Sequence, residues 1–129
     1  MDSRQRTIVL AEDDRELRRL LAEVLRIEGY DVVEIGSGDE LLAWMDDSLT
    51  YGAVPPDRVL LSDLRMPGFS GLEILEYLRA TGDSTPVILM TAFGDRQTHR
   101  EALRLGAAET LDKPFEIDDM IAAIHAYLP

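Results

Sequence analysis

The sequence predicts an α/β fold, a doubly wound five-stranded parallel sheet with helices on both faces. Three observations lead there. Short runs rich in Val, Ile and Leu punctuate the chain, and three of the first four are apolar without alternation, as strands buried on both faces read. Helical spacing of apolar residues fills the intervals, so strand and helix alternate five times. With right-handed crossovers, that alternation gives one sheet, expected in the flavodoxin-like order 2-1-3-4-5.

The first strand is "TIVLA", residues 7–11. The helix after it is written in Leu17, Leu20, Leu21, Val24 and Leu25, one face of a 3.6-residue period, with Asp14 as its cap. "DVVEI", residues 31–35, is the second strand, and a capping box of Ser37 and Glu40 opens the next helix before "LLAWM". Gly and paired Pro make "LTYGAVPPD", residues 49–57, a loop. "RVLLS", residues 58–62, is the third strand, and a second capping box, Ser70 with Glu73, precedes "ILEYL". After "PVILM", residues 86–90, Asp95 is the expected cap of a helix running through Ala102 to Leu105 and stopped by Gly106. "ETLD", residues 109–112, is a weaker fifth strand, and the last helix carries Ile117, Met120, Ile121 and Ile124 on one side. Trp44 and Tyr77, at helical spacing from apolar neighbours, read as packing or surface residues.

At 129 residues, 46% hydrophobic and 29% charged, the chain has the size and composition of one domain, expected to span residues 1–129 with a core over about 7–128. No second domain is expected within this chain, which would stand alone or form the front of a longer protein. Without cysteine, disulfides, thiolate metal sites and thiol nucleophiles are excluded. No apolar run approaches the roughly 20 residues of a membrane span, and "MDSRQRT" lacks the apolar core of a signal peptide, so a cytoplasmic location is expected. A net charge of −12 opposes direct binding to nucleic-acid phosphates.

In an open sheet of this class the ligand site lies beyond the carboxyl ends of the strands, where strand order reverses. The residues just past each strand are therefore informative. Glu12, Asp13 and Asp14 stand after the first, Asp63 after the third, Thr91 and Ala92 after the fourth, and Lys113 with Pro114 after the fifth. Each alone has an ordinary explanation as a helix cap, a turn residue or a solvated lysine. Independent caps and turns need not fall at the same sheet edge. Clustered carboxylates repel and raise one another's pKa unless a cation is supplied. With oxygen ligands only, the cation is a hard one: Mg²⁺ takes one or two carboxylates, waters and phosphate oxygens at about 2.1 Å. Lys113 and Thr91 suit a phosphoryl ligand, Ala92 leaves room beside it, and a carboxylate can itself attack phosphorus.

Taken as a set with their spacing, "VLAEDD", "LLSDLRMPGFSG", "VILMTAFG" and "LDKPF" resemble the receiver domain of bacterial two-component response regulators, from about Thr7 to Leu128. The resemblance implies a phosphorylation-dependent switch in which Asp63 accepts a phosphoryl group from a sensor histidine kinase or phosphotransfer protein. It implies that Glu12, Asp13, Asp63 and the backbone carbonyl of Arg65 hold Mg²⁺, some through water. Lys113 would contact the phosphoryl group, Thr91 would turn toward it, and the Lys113–Pro114 bond is expected to be cis. Such a domain promotes its own phosphorylation and dephosphorylation and is not an enzyme acting on an external substrate. It signals to a downstream effector or output domain, and a homodimer or partner contact through the fourth and fifth helices is implied.

Departures from the family pattern are visible too. Glu12 replaces the commoner Asp of the acid pair. Thr110 stands where many receivers carry a Tyr or Phe that rotates inward on activation, so Phe93 is the expected source of bulk on that face. Arg65 and Phe93 flank the site and can slow the access of water. His99 and His125 are placed on helices away from the strand ends, with no phosphoryl-carrying role. Rival readings fit less well: a dehalogenase-like phosphotransferase needs an acid two residues after the nucleophile, where Arg65 stands, and a flavin-binding module needs a phosphate loop where "EDDREL" would repel one.

Overall fold

The computed structural model describes residues 6–50, 57–92 and 96–129, the side chains of 47–50 excepted. Phe93, Asp95 and most of the expected loop at 49–57 lie outside the described residues. The elements are β1 (Arg6–Ala11), α1 (Arg15–Ile27), β2 (Asp31–Ile35), α2 (Gly38–Thr50), β3 (Asp57–Asp63), α3 (Gly71–Ala80), β4 (Val87–Thr91), α4 (Arg96–Arg104), β5 (Glu109–Asp112) and α5 (Ile117–Tyr127). All strands run parallel in the order β2-β1-β3-β4-β5, as expected from the alternation.

The expected boundaries need small corrections. Helix α2 continues to Thr50, past the expected loop start at Leu49, and β3 runs from Asp57 to Asp63, one residue longer at each end. β4 begins at Val87 because Pro86 has no N–H for the ladder, although its carbonyl still accepts from the Leu60 N–H at 2.9 Å.

The alternation of side chains sorts the strands into two cores. Ile8, Leu10, Val59, Leu61, Ile88 and Met90 face α1 and α5, packing on Leu21, Leu25, Met120 and Ile124. Val9, Ala11, Leu60, Val87 and Leu89 face the other way, against Met45, Leu75, Leu78 and Ala102. Both faces are covered. That is why the strand sequences are apolar continuously and not every second residue.

The helices start where capping chemistry directs. Asp14 accepts from the Leu17 N–H at 3.2 Å, and Ser70 and Glu73 form the reciprocal box, at 3.1 and 3.0 Å. At α2 the Glu40 N–H donates to the Ser37 hydroxyl at 3.2 Å, while the Glu40 carboxylate reaches the Gly36 N–H. Trp44 packs on the second core with the Arg58 guanidinium 5.8 Å from its ring centroid, and Tyr77 donates to Asp46, so both are packing residues.

At the amino end of the sheet, remote from the carboxyl-end cluster, Arg58 and Asp83 form a buried ion pair at 2.8 Å. Burial alone would raise the Asp83 carboxyl. Donation from the Thr85 hydroxyl and N–H and from Arg58 outweighs it and holds the group below its ordinary 3.8. A depressed acid stabilises the fold above its unfolded pKa and loses that contribution as pH falls through the folded value. Asp83→Ala removes the carboxylate from a buried guanidinium and is expected to cost about 3 kcal/mol of unfolding free energy, read as a lower urea midpoint at neutral pH. In the same titration, the gap between variant and parent should begin to narrow only below about pH 4, as pH falls from the ordinary value through the depressed one.

Candidate functional site at the carboxyl edge of the sheet

Strand β3 delivers Asp63 to the sheet edge and the chain then has to leave without crowding it. The Leu64 N–H makes a last bond to the Met90 carbonyl at 2.9 Å, and Gly68, at φ +81°, turns the loop into α3. Gly71 brings the start of α3 against the strand end: a Cβ there would lie 2.6 Å from the Asp63 carbonyl oxygen and 3.0 Å from Leu89 Cδ2. Beneath, the buried Ser62 hydroxyl donates to the Asp63 carbonyl at 2.9 Å. The backbone that carries Asp63 is thus held from both sides.

Three carboxylates meet here, as the sequence leads one to expect. One oxygen from each of Glu12, Asp13 and Asp63 lies within 4.8 Å of the others. The Lys113 ammonium donates to Glu12 Oε1 at 2.5 Å and to Asp63 Oδ2 at 3.0 Å. Glu12 is buried, its Oε2 accepting from the Asp14 N–H at 3.2 Å and its carbonyl from Arg18 Nη1 at 2.9 Å. Asp13 is exposed. Asp63 Oδ1 accepts from the Arg65 N–H at 3.3 Å. The Lys113–Pro114 bond that ends the cluster is cis, as expected.

Charge and burial pull on this cluster in opposite senses. Burial pushes the Glu12 carboxyl from 4.5 up to about 7, with the Asp63 charge adding to the rise and the bonds from Lys113 and Asp14 resisting it. Burial lowers Lys113, but the two carboxylates outweigh it and the ammonium keeps its proton. A raised acid takes up protons on folding. In metal-free protein, therefore, this group's contribution to stability declines as pH rises from 4.5 towards 7 and is flat above. A divalent cation requires the carboxylate, so its binding should expel a proton. Magnesium affinity measured by calorimetry is expected to rise from about pH 6 to about pH 8, with proton release that fades at the upper end.

Thr91, the buried end of β4, does not point its bond at Asp63. Its hydroxyl donates to Asp112 Oδ1 at 2.7 Å, and the same oxygen pairs with His99 Nε2 at 2.8 Å. The sequence places His99 away from the strand ends; the helix in fact delivers it to the end of β5. The physical reason is that α4 is not remote, since β4 and β5 pair Thr91 with Asp112 directly under it. Ser62, Arg18 and Asp112 also belong to this edge, although sequence reasoning does not single them out. Only the Thr91–Asp112 pairing has a signal there, since parallel strand order implies it once both strand ends are fixed. Thr110 is half-buried on β5, and His125 is exposed on α5.

Beside Lys113 a hollow of about 560 Å³ opens, lined by Leu17, Leu20, Leu21, Ala92, Pro114 and Ile117. Its walls are apolar. Among the described residues no helix is long and apolar enough to cross a membrane.

Comparison with known proteins agrees with this architecture. Residues 8–125 match the family model of the response regulator receiver domain. The transcriptional regulatory protein CpxR of Escherichia coli is 40% identical over 94% of this chain and 48% of its own length. The chain thus spans about half the length of the CpxR relatives it matches. Sporulation initiation phosphotransferase F of Bacillus subtilis is 37% identical, covering 95% of this chain and 93% of that protein. Among solved structures, the receiver domain of the Francisella response regulator 1452 superposes with a TM-score of 0.85 at 25% identity, over 96% of this chain and 97% of the other. With residues 8–125 matched by the family model and the five strands in the order 2-1-3-4-5, the chain belongs to the response regulator receiver domain family.

Proposed function

We propose that the protein is a signalling switch in which Asp63 accepts a phosphoryl group from the phosphohistidine of a sensor histidine kinase or phosphotransfer protein. One observation carries most of this reading: the Lys113 ammonium bridges the carboxylates of Glu12 and Asp63 at the strand ends, 2.5 and 3.0 Å away. An ammonium held between two carboxylates is already placed to take an oxygen of a phosphoryl group arriving on one of them.

The donor set fits a hard divalent cation: three carboxylates, no His or Cys, all within reach of one another. Glu12, Asp13, Asp63 and the Arg65 carbonyl would hold Mg²⁺, partly through water. Such an ion neutralises the charge that builds on the transferring oxygens. The chain's own residues do the rest. An Asp63 carboxylate oxygen forms the new bond to phosphorus as the phosphorus–nitrogen bond of the donor breaks, the electron pair leaving with the imidazole. Lys113 then exchanges its bond to Asp63 Oδ2 for one to a phosphoryl oxygen, and Thr91 supplies a hydroxyl to another. The Arg65 N–H and the Ser62 hydroxyl keep the Asp63 group and its backbone in place.

Loss of the phosphoryl group to water completes the cycle, with no external substrate turned over. The reading extends to a downstream effector or output domain as the receiver of the signal. A homodimer is favoured by the charges on the fourth and fifth helices: Arg96, Arg100 and Arg104 are exposed along α4, Asp118 and Asp119 on α5.

The test is intact mass after incubation with acetyl phosphate, with and without Mg²⁺. A Mg²⁺-dependent gain of one phosphoryl group that hydroxylamine removes is the expected result. Folded protein that binds Mg²⁺ but gains no mass from acetyl phosphate or from a phosphorylated histidine donor would overturn the reading.

A further inference from the structure

A hydroxyl group has one proton to donate, and in this structure the proton of Thr91 is already committed. It goes to Asp112 Oδ1, at a distance of 2.7 Å that marks a charge-assisted bond. The backbone of Thr91 is not free to shift, since it lies in β4 and its carbonyl accepts from the Lys113 N–H at 2.6 Å. Rotation about χ1 is what remains to redirect the hydroxyl. Asp112 is in turn braced: His99 Nε2, reaching down from α4, is 2.8 Å from the same oxygen. Both partners hold the Asp112 carboxyl below its ordinary range, Thr91 more than His99.

We propose that Asp112, braced by His99, is a positioning residue that competes with the phosphoryl group for the Thr91 hydroxyl and so sets how readily the site is phosphorylated. The inference rests on the reading of Asp63 given above. In the unphosphorylated protein the Thr91 proton lies on Asp112. When a phosphoryl group occupies Asp63, the proton is redirected to it, Asp112 loses its closest donor, and the His99–Asp112 contact readjusts. Through that contact α4 senses the site. The aromatic residue absent at position 110 is not needed for this route, because the signal passes from β4 through the end of β5 to α4 by hydrogen bonds alone. Asp112 is half-exposed, so the competition is modest and reversible.

Beryllium fluoride, which mimics the phosphoryl group on a carboxylate, titrated with Mg²⁺ into the whole protein, tests it. Asp112→Ala is expected to bind roughly fivefold tighter than the parent, because a competing acceptor is gone. In a Thr91→Ala background the same substitution should change nothing. That background separates competition for the hydroxyl from mere removal of a negative charge near an anion. His99→Ala should give a smaller gain, and the His99 imidazole resonances should shift on beryllofluoride addition in the parent but not in Thr91→Ala. Unchanged or weaker binding in Asp112→Ala, or an equal gain in both backgrounds, overturns the proposal. If the parent itself binds no beryllofluoride and takes up no phosphoryl group, the reading of Asp63 fails, and this one with it. Thermal melts of each variant show whether it is folded, and both Asp112 and His99 reach solvent, so the fold should survive their loss.

Discussion

Asp63→Asn is expected to abolish the mass gain from acetyl phosphate, a loss of rate beyond roughly a thousandfold. The substitution keeps the shape of the side chain and can keep the bond from the Arg65 N–H. It removes the anionic oxygen that attacks phosphorus. Lys113, Glu12 and Asp13 remain, and because Asp63 is also one of the groups proposed to hold Mg²⁺, the rate is read at Mg²⁺ concentrations that saturate the variant, which separates lost nucleophilicity from weakened metal binding. Charge brings a second effect. Asp63 is one of the groups that raise Glu12, and its neutralisation should let the Glu12 carboxyl fall back towards its ordinary range. The metal-free variant should then show a shallower decline of stability between pH 4.5 and about 7 than the parent. A hydroxylamine-sensitive phosphoryl group still present on the variant would place the nucleophile elsewhere in the acid cluster.

The strands, their order and the acid-hydroxyl-lysine edge are legible in the sequence because parallel sheets impose simple rules. Buried strands must be apolar on both faces, and Ile8 and Val9, facing opposite cores, illustrate the result. Sheet order then puts all carboxyl ends on one edge, which collects Glu12, Asp13, Asp63, Thr91 and Lys113 without knowledge of a single side-chain angle. Rotamers are another matter. Nothing in the order of residues says that Thr91 bonds to Asp112 instead of facing Asp63, because that choice is made by rotation about χ1 and not by sheet order. His99 escapes for a related reason: helical periodicity assigns a face, but the height at which α4 meets the strand ends depends on the loop before it. Ser62 reads in sequence as one more strand residue, and only its burial under the Asp63 carbonyl gives it a role.

Lys113→Ala should separate phosphoryl chemistry from metal binding. The ammonium is the cation shared by Glu12 and Asp63, and its removal takes a positive charge from the spot where the transferring oxygens gain negative charge. Loss of one such preorganised group costs about a hundredfold to a thousandfold in rate, so phosphorylation by acetyl phosphate at saturating Mg²⁺ is expected to fall by that factor. Metal affinity should move the other way or stay level at high pH. A fixed ammonium repels a divalent cation placed between the same carboxylates, and its loss relieves that repulsion. At lower pH the sign reverses. Without Lys113 a resisting influence on Glu12 disappears, its carboxyl rises further above 7, and more of the protein must shed a proton before it can take the ion. The pH at which Mg²⁺ affinity levels off should therefore lie higher in the variant than in the parent. A variant that lost Mg²⁺ affinity at every pH, in proportion to its loss of rate, would make Lys113 a support for the metal site and not a partner of the phosphoryl group.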